Sequence, residues 1–308
     1  MTNTAFIFPG QGSQFVGMGK DIYEQYPEAR QVFDQASDVL DIDLKTLCFQ
    51  DPEDKLKLTT YTQPAILTTS LALFACIGST DKMFLAGHSL GEFTALAAGG
   101  SLGLETAVSL VMERGRLMQE AVPSDLGGMA AIIGLDNQEV LDACNSAREE
   151  GKVWPANFNC PGQIVITGEK KGLLKAIELA KNKGAKFSVM LPVSIPSHCP
   201  LMEPAAMRLK DMLEKIDVED LQVPVVSNCW AIPIKEKELI KKNMIEQMTS
   251  PVKWEDSIRF MIQKGVTTFI EVGPGKVLTG LIRRIDRQAR VINIYGSDSL
   301  EKFKETRQ

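Results

Sequence analysis

The chain has 308 residues, 44% of them hydrophobic and 24% charged, and its 34 Lys and Arg against 39 Asp and Glu leave a net charge of −5. That length supports one large domain or two around a sizeable core, and the lack of any block of like charge argues against a nucleic-acid partner. No apolar run reaches the length of a membrane span and no basic segment leads into an apolar stretch at Met1-Thr2-Asn3-Thr4-Ala5, so a cytoplasmic protein with no membrane partner is expected.

In chain order, Ala5-Phe6-Ile7-Phe8 reads as a strand ending at Pro9, followed by the glycine-rich Gly10-Gln11-Gly12-Ser13-Gln14. Helices are expected over 20–40 and 62–77. The apolar run 83–86 suits a buried strand, and 92–98 is rich in helix formers. A further helix near 104–120 carries Arg114 and Arg116. This mixed order implies a parallel sheet covered by helices. From 124 to 195 the rhythm changes to a strand at 129–134, a helix over 137–150, and strands at 153–157 and 164–167. The last two flank a turn through Asn159-Cys160-Pro161-Gly162. A helix at 173–183 and a strand at 187–191 complete the order β-α-β-β-α-β, the ferredoxin-like signature. The expected fold is therefore α/β, with a small domain (124–195) inserted into a larger one (1–123 and 196–308). Beyond the insert, strands are expected at 223–226 and 268–272. The second runs into Gly273-Pro274-Gly275-Lys276, which lacks phosphate-loop spacing and reads as a turn before a helix over 277–287. The polar tail after Tyr295 is expected to fray.

Gly87-His88-Ser89-Leu90-Gly91 is a G-x-S-x-G word between an apolar strand and a helix-forming run, the setting of a nucleophile elbow. The same residues also suit an ordinary βα turn whose serine caps the helix. A serine nucleophile needs an imidazole to take its proton. The chain has two histidines. His88 is adjacent to Ser89 in the turn and points elsewhere, which leaves His198, in the loop Pro196-Ser197-His198-Cys199-Pro200, as the candidate base. Cys199 lacks any elbow-like setting. Gly10-Gln11-Gly12 has Phe15 where a dinucleotide fingerprint needs its third glycine. It reads either as a plain turn or as a loop that offers a backbone N–H, or the Gln11 amide, to an oxyanion. Arg114 and Arg116 either lie along a solvated face or supply one bidentate clamp for a substrate carboxylate. The cysteines (Cys48, Cys76, Cys144, Cys160, Cys199 and Cys229) form no C-x-x-C pair and read as free buried thiols. With two histidines and no ligand spacing, no metal site is expected.

Six words now stand in order: Phe8-Pro9-Gly10-Gln11-Gly12-Ser13-Gln14, Thr62-Gln63-Pro64-Ala65, Gly87-His88-Ser89-Leu90-Gly91-Glu92, Asn159-Cys160-Pro161-Gly162-Gln163, Pro196-Ser197-His198 and Glu271-Val272-Gly273-Pro274-Gly275. Through them the chain resembles the malonyl-CoA:acyl-carrier-protein transacylases along almost its whole length. The resemblance implies an α/β-hydrolase-like large domain with the ferredoxin-like insert. It implies Ser89 as the acyl-accepting nucleophile and His198 as its base. Backbone N–H groups of Gln11 and Leu90 would form the oxyanion hole, and Arg114 would pair with the malonyl carboxylate. A main-chain carbonyl at Gln247 would orient the histidine in place of an aspartate. Leucine at position 90 is the form seen with malonyl specificity.

The implied reaction moves a malonyl group from malonyl-CoA to the phosphopantetheine thiol of an acyl carrier protein through an acyl-serine, for fatty-acid synthesis, without a cofactor. Service to a polyketide carrier, hydrolysis of carrier thioesters and a non-catalytic carrier-docking module are the alternatives. A monomer is expected. The carriers of this family are acidic, so Arg284, Arg287 and nearby Arg290 are candidates for a basic docking patch. One departure is a shorter connection between Leu73 and Gly87, bridged by Gly78-Ser79-Thr80-Asp81-Lys82.

Overall fold

The structure, a computed structural model, describes residues 3–78, 80–123 and 126–306. Its strands, in chain order, are β1 (Thr4–Phe8), β2 (Phe84–Gly87), β3 (Gly127–Ile133), β4 (Val153–Cys160), β5 (Gln163–Glu169), β6 (Phe187–Met190), β7 (Val225–Val226), β8 (Pro233–Ile234), β9 (Thr268–Val272) and β10 (Arg290–Ile294). They form a six-stranded sheet, β10-β9-β1-β2-β7-β8, and a four-stranded sheet, β4-β5-β3-β6. In the first, β1 lies parallel to β2 and β9, and the parallel pairing continues to β10 and β7, with β8 antiparallel at one edge.

A central parallel strand is covered on both faces and so reads apolar throughout. In β1, Phe6 and Phe8 enter the larger core with Ile66, Leu85 and Phe93, while Ala5 and Ile7 face a second core with Trp254, Ile258 and Ile282. Helices Thr59–Ile77, Leu90–Ala98 and Leu104–Ala121 supply the first core, and Trp254–Gln263 and Val277–Ile285 the second. The four-stranded sheet is antiparallel and carries the helices Asn137–Ala147 and Lys170–Asn182 on one face, as the β-α-β-β-α-β order anticipates. Ala130, Ile132, Ile164 and Ile166 pack against those helices. The opposite face presents Met129 and Val165 to the cavity described below.

Several elements differ from the sequence expectation. The stretch 20–40 is two helices, Lys20–Gln25 and Pro27–Leu40, because Tyr26 precedes a proline and is extended (φ −120°, ψ 119°). The turn drawn through Asn159 and Cys160 is tighter: β4 runs through Cys160, leaving Pro161 and Gly162 (φ 73°) to reverse the chain. The strand at 223–226 shortens to Val225–Val226. The tail does not fray over its whole length: Ser297–Glu305 is a helix that buries Leu300 and Phe303. Residues 124 and 125, at the expected start of the insert, and Ser79, in the connection expected to be short, lie outside the described residues. Among the described residues no helix is long and apolar enough to cross a membrane, and all six cysteines are buried and free.

Candidate active site

The site forms where β1 and β2 end side by side. β2 stops at Gly87, the helix Leu90–Ala98 starts at Leu90, and Ser89 sits between them at φ 52°, ψ −106°. That conformation is strained for a residue with a Cβ, and its neighbours hold it there. The Ser89 N–H donates to Asn228 Oδ1 at 2.7 Å, and Asn228 Nδ2 donates to the Gly87 carbonyl at 2.7 Å. The glycines follow from close approach. A Cβ on Gly91 would stand 2.0 Å from the Phe8 oxygen, and one on Gly10 would stand 2.3 Å from the His88 oxygen. The Gly10-Gln11 loop therefore rests directly on the elbow. Leu90 opens its helix, so its N–H has no partner within that helix, and both Gln11 and Leu90 line the cavity. The Gln11 side-chain amide turns aside to donate to Thr59 Oγ1 at 3.1 Å.

The two histidines have different partners. His88 Nε2 lies 2.8 Å from Asn159 Oδ1, its ring meets Trp254 edge-on, and burial lowers its pKa. His198 Nε2 lies 2.8 Å from Ser89 Oγ, and its Nδ1 lies 2.9 Å from the main-chain oxygen of Gln247. A carbonyl only accepts, so Nδ1 carries the hydrogen and Nε2 presents a lone pair to the serine. Burial first, then the Arg114 charge, pushes the His198 pKa down to about 3. The imidazole is thus neutral and able to take a proton across the physiological range.

Of the two arginines, Arg116 points to solvent and pairs with Glu113 and Glu120. Arg114 is 1% exposed, with its guanidinium 5.0 Å above the Phe93 ring. Nη1 donates to Gln63 Oε1 at 2.7 Å, and Nη2 donates to Gln247 Oε1 at 2.9 Å and to Ser89 Oγ at 3.3 Å. Its Nε is buried without a partner. Burial lowers its pKa to about 10, against the opposing pull of Glu92, so it stays cationic at neutral pH. Glu92, fully buried, accepts from Asn228 N–H, Asn243 Nδ2 and Gln247 Nε2. These groups border a cavity of about 330 Å³ between the two sheets, walled by Ser89, His198 and Arg114 on one side and by Met129, Val165 and Val193 on the other.

An acyl transferase domain family matches residues 5–299. The malonyl CoA-acyl carrier protein transacylase of Bacillus subtilis (strain 168) is 49% identical over 305 residues, which are 98% of this chain and 96% of that protein. The chain belongs to this family. A solved acyl carrier protein S-malonyltransferase from Vibrio cholerae superposes with a TM-score of 0.96 at 43% identity, covering 98% of this chain and 100% of the other. A malonyl-transacylase solved in complex with its holo type II PKS acyl-carrier protein matches with a TM-score of 0.96 at 42% identity, covering 98% and 99%.

Against the sequence expectations, Ser89, His198, Arg114 and Gln247 converge in this member of the family, and Gln11 and Leu90 flank them. Arg284 and Arg287 are exposed on the helix Val277–Ile285 and just after it, Arg290 is exposed at the start of β10, and Arg284 also donates to Gln163 Oε1 at 2.6 Å. Gln63, Glu92, Asn228 and Asn243 had no role assigned from sequence. Gln63 and Glu92 sit inside recognised words, so the words pointed to them without saying what they do. Asn228 lies in no word at all, and its place beside Ser89 exists only once β7 is laid next to β2. The last word is structural: Glu271 caps the helix Val277–Ile285 by accepting from Leu278 N–H at 3.0 Å and Thr279 N–H at 2.8 Å.

Proposed function

We propose that the chain, a cytoplasmic monomer, transfers malonyl from malonyl-CoA to the phosphopantetheine thiol of a holo acyl carrier protein, with Ser89 as the transient acyl carrier. The observation that carries this reading is that Ser89 Oγ lies 2.8 Å from His198 Nε2 and 3.3 Å from Arg114 Nη2. The nucleophile, its base and a cation for a charged acyl group thus meet at one atom. All of these groups come from one chain, and residues 124–195 act as an inserted wall over the catalytic unit formed by 1–123 and 196–308.

His198 takes the Ser89 proton as the alkoxide attacks the thioester carbonyl. The N–H groups of Gln11 and Leu90 receive the oxyanion, each worth about 3–4 kcal/mol in the transition state. The carbon–sulfur bond then breaks and coenzyme A leaves as a thiolate with a pKa near 8.5, which takes the proton from His198 and returns the imidazole to its neutral form. The carrier's thiol gives its proton to His198, attacks the acyl-serine and restores the Ser89 hydroxyl in a ping-pong cycle. Arg114 holds the malonyl carboxylate through both halves, which keeps the acyl carbonyl in one pose. The reaction requires no cofactor beyond its two substrates.

A carrier of fatty-acid synthesis is the proposed acceptor. A polyketide carrier is the second reading, favoured by the likeness to the transacylase solved with such a carrier. Incubating the enzyme with malonyl-CoA and holo carriers of both kinds tests the proposal. Malonyl-carrier should accumulate with little free malonate, whereas dominant malonate release would make the chain a hydrolase.

A further inference from the structure

We infer that Glu92 is a positioning residue for this reaction: its ionised carboxylate, buried behind the nucleophile, fixes both the turn that presents Ser89 and the glutamine that sets His198 and Arg114. The inference rests on the malonyl-transfer reading above.

Glu92 lies in the first turn of the helix Leu90–Ala98 and has no exposed surface. Its Oε1 accepts from the Asn228 N–H at 2.9 Å and from Asn243 Nδ2 at 2.9 Å, and its Oε2 accepts from Gln247 Nε2 at 2.5 Å. The orientation of the Gln247 amide is fixed from its far end, and that of Asn243 is the one its neighbours' hydrogen bonds suit. Asn243 Oδ1 accepts from Ser227 Oγ and from Cys229 Sγ, and Gln247 Oε1 accepts from Arg114, which can only donate. Every partner of the carboxylate is thus a donor, and a protonated carboxyl would set an O–H against an N–H.

Each partner then holds a separate part of the site. Asn228 accepts the Ser89 N–H and ties it to the Gly87 carbonyl. The Gln247 side chain also donates to the Ser89 carbonyl at 2.9 Å, while its main-chain oxygen accepts from His198 Nδ1. One carboxylate therefore stands behind the nucleophile, the base and the carboxylate clamp. A buried charge is expensive unless fully hydrogen-bonded, and here its bonds run to the groups that arrange the chemistry.

The charged and titratable groups facing Glu92 are few. Arg114 approaches from the helix Leu104–Ala121 and Cys229 from the segment after β7, while the helix Lys237–Thr249 contributes the neutral amides of Asn243 and Gln247. Burial raises the Glu92 pKa to about 7, opposed by its amide partners and Arg114, and raises the Cys229 thiol to about 12. His198, its pKa pushed down by burial and by Arg114, stays neutral through this range, so protonation of Glu92 should lower activity just below neutrality while the base is unchanged.

The test is steady-state malonyl transfer to holo acyl carrier protein across pH for wild type, Glu92→Gln and Glu92→Asp, with circular dichroism to confirm folding. Glu92→Gln meets three donors with one acceptor oxygen, so kcat should fall about a hundredfold through misplacement of the reacting groups. The KM for malonyl-CoA should not rise, because Arg114 loses a competing negative charge. The acid limb should vanish in Glu92→Gln and persist in Glu92→Asp, which keeps the charge and should regain at least about tenfold of the lost rate. A purely structural role would instead lower the amount of active enzyme and leave KM and the pH profile as in wild type. Should Glu92→Gln fail to fold, Glu92→Asp decides: its acid limb should be displaced from that of wild type, and an unmoved limb, or a wild-type profile flat from about pH 8 to 5, overturns the inference. A wild type that transfers no malonyl refutes the functional reading itself. A wild type that transfers normally beside a folded Glu92→Gln within twofold of it refutes the role of Glu92 alone.

Discussion

Replacing Arg114 by Ala should collapse the preference for malonyl over acetyl. Arg114 is buried with its fork divided between Gln63 and Gln247, and its Nε is unpaired. An incoming carboxylate meets a cation that water does not screen. At about 4 Å and an effective dielectric constant of about 20 such a pair is worth roughly 4 kcal/mol, and a hydrogen bond to a charged group is worth about 1.5–3 kcal/mol net. Taking about 3–4 kcal/mol as the difference between a charged and a neutral acyl group, selectivity should drop roughly 10²- to 10³-fold. The variant also removes a donor to Ser89 Oγ and leaves Glu92 without its cation, so the absolute rate for either substrate is a poor measure. The ratio of kcat/KM for malonyl-CoA to that for acetyl-CoA cancels the shared losses. Arg114→Lys, which keeps the charge without the planar fork, should fall between the two. A ratio in Arg114→Ala within about threefold of wild type would refute the clamp, since that corresponds to less than about 1 kcal/mol.

Gly91→Ala should destabilise the fold by about 3 kcal/mol or more, because its Cβ would meet the rigid Phe8 carbonyl and not a side chain that can swing away; thermal denaturation measures this. Gln247→Ala keeps the main-chain carbonyl that orients His198 but removes the amide between Arg114 and Glu92. It should therefore cut kcat/KM for malonyl-CoA by about tenfold, well short of the loss in His198→Ala, where the base itself goes and roughly 10²- to 10⁴-fold is expected. Reversing charge in the double variant Arg284→Glu, Arg287→Glu should raise the KM for the carrier several-fold at low salt and leave the KM for malonyl-CoA unchanged. An unchanged carrier KM would remove this face from the docking surface.

The order of strands and helices was readable because both periodicities are clean. β1 and β2 are apolar on both faces, as central parallel strands must be, and β3 to β6 alternate with two amphipathic helices. The reading failed where a single residue redirects the chain, as at Tyr26 before Pro27, or where a polar sequence hides a narrow apolar stripe, as in Ser297–Glu305. At the site, the scarcity of histidine singled out His198, and the elbow word singled out Ser89. Neither could separate Arg114 from Arg116, two residues apart on one helix, since facing inward or outward is decided by what packs against that helix. Glu92, Asn228 and Gln63 are ordinary polar residues in sequence. They acquire meaning only from tertiary contacts between segments as distant as 92 and 247.

The central claim is that Ser89 carries the acyl group between two thiols. Mixing the enzyme with malonyl-CoA in the absence of carrier, and reading the intact mass, tests it most directly. The mass should rise by one malonyl group, localised to the peptide containing Ser89, and return to the starting value when holo acyl carrier protein is added, with the label recovered on the carrier. An adduct that persists in Ser89→Ala, or one that is lost to water as free malonate before the carrier is added, would contradict the account.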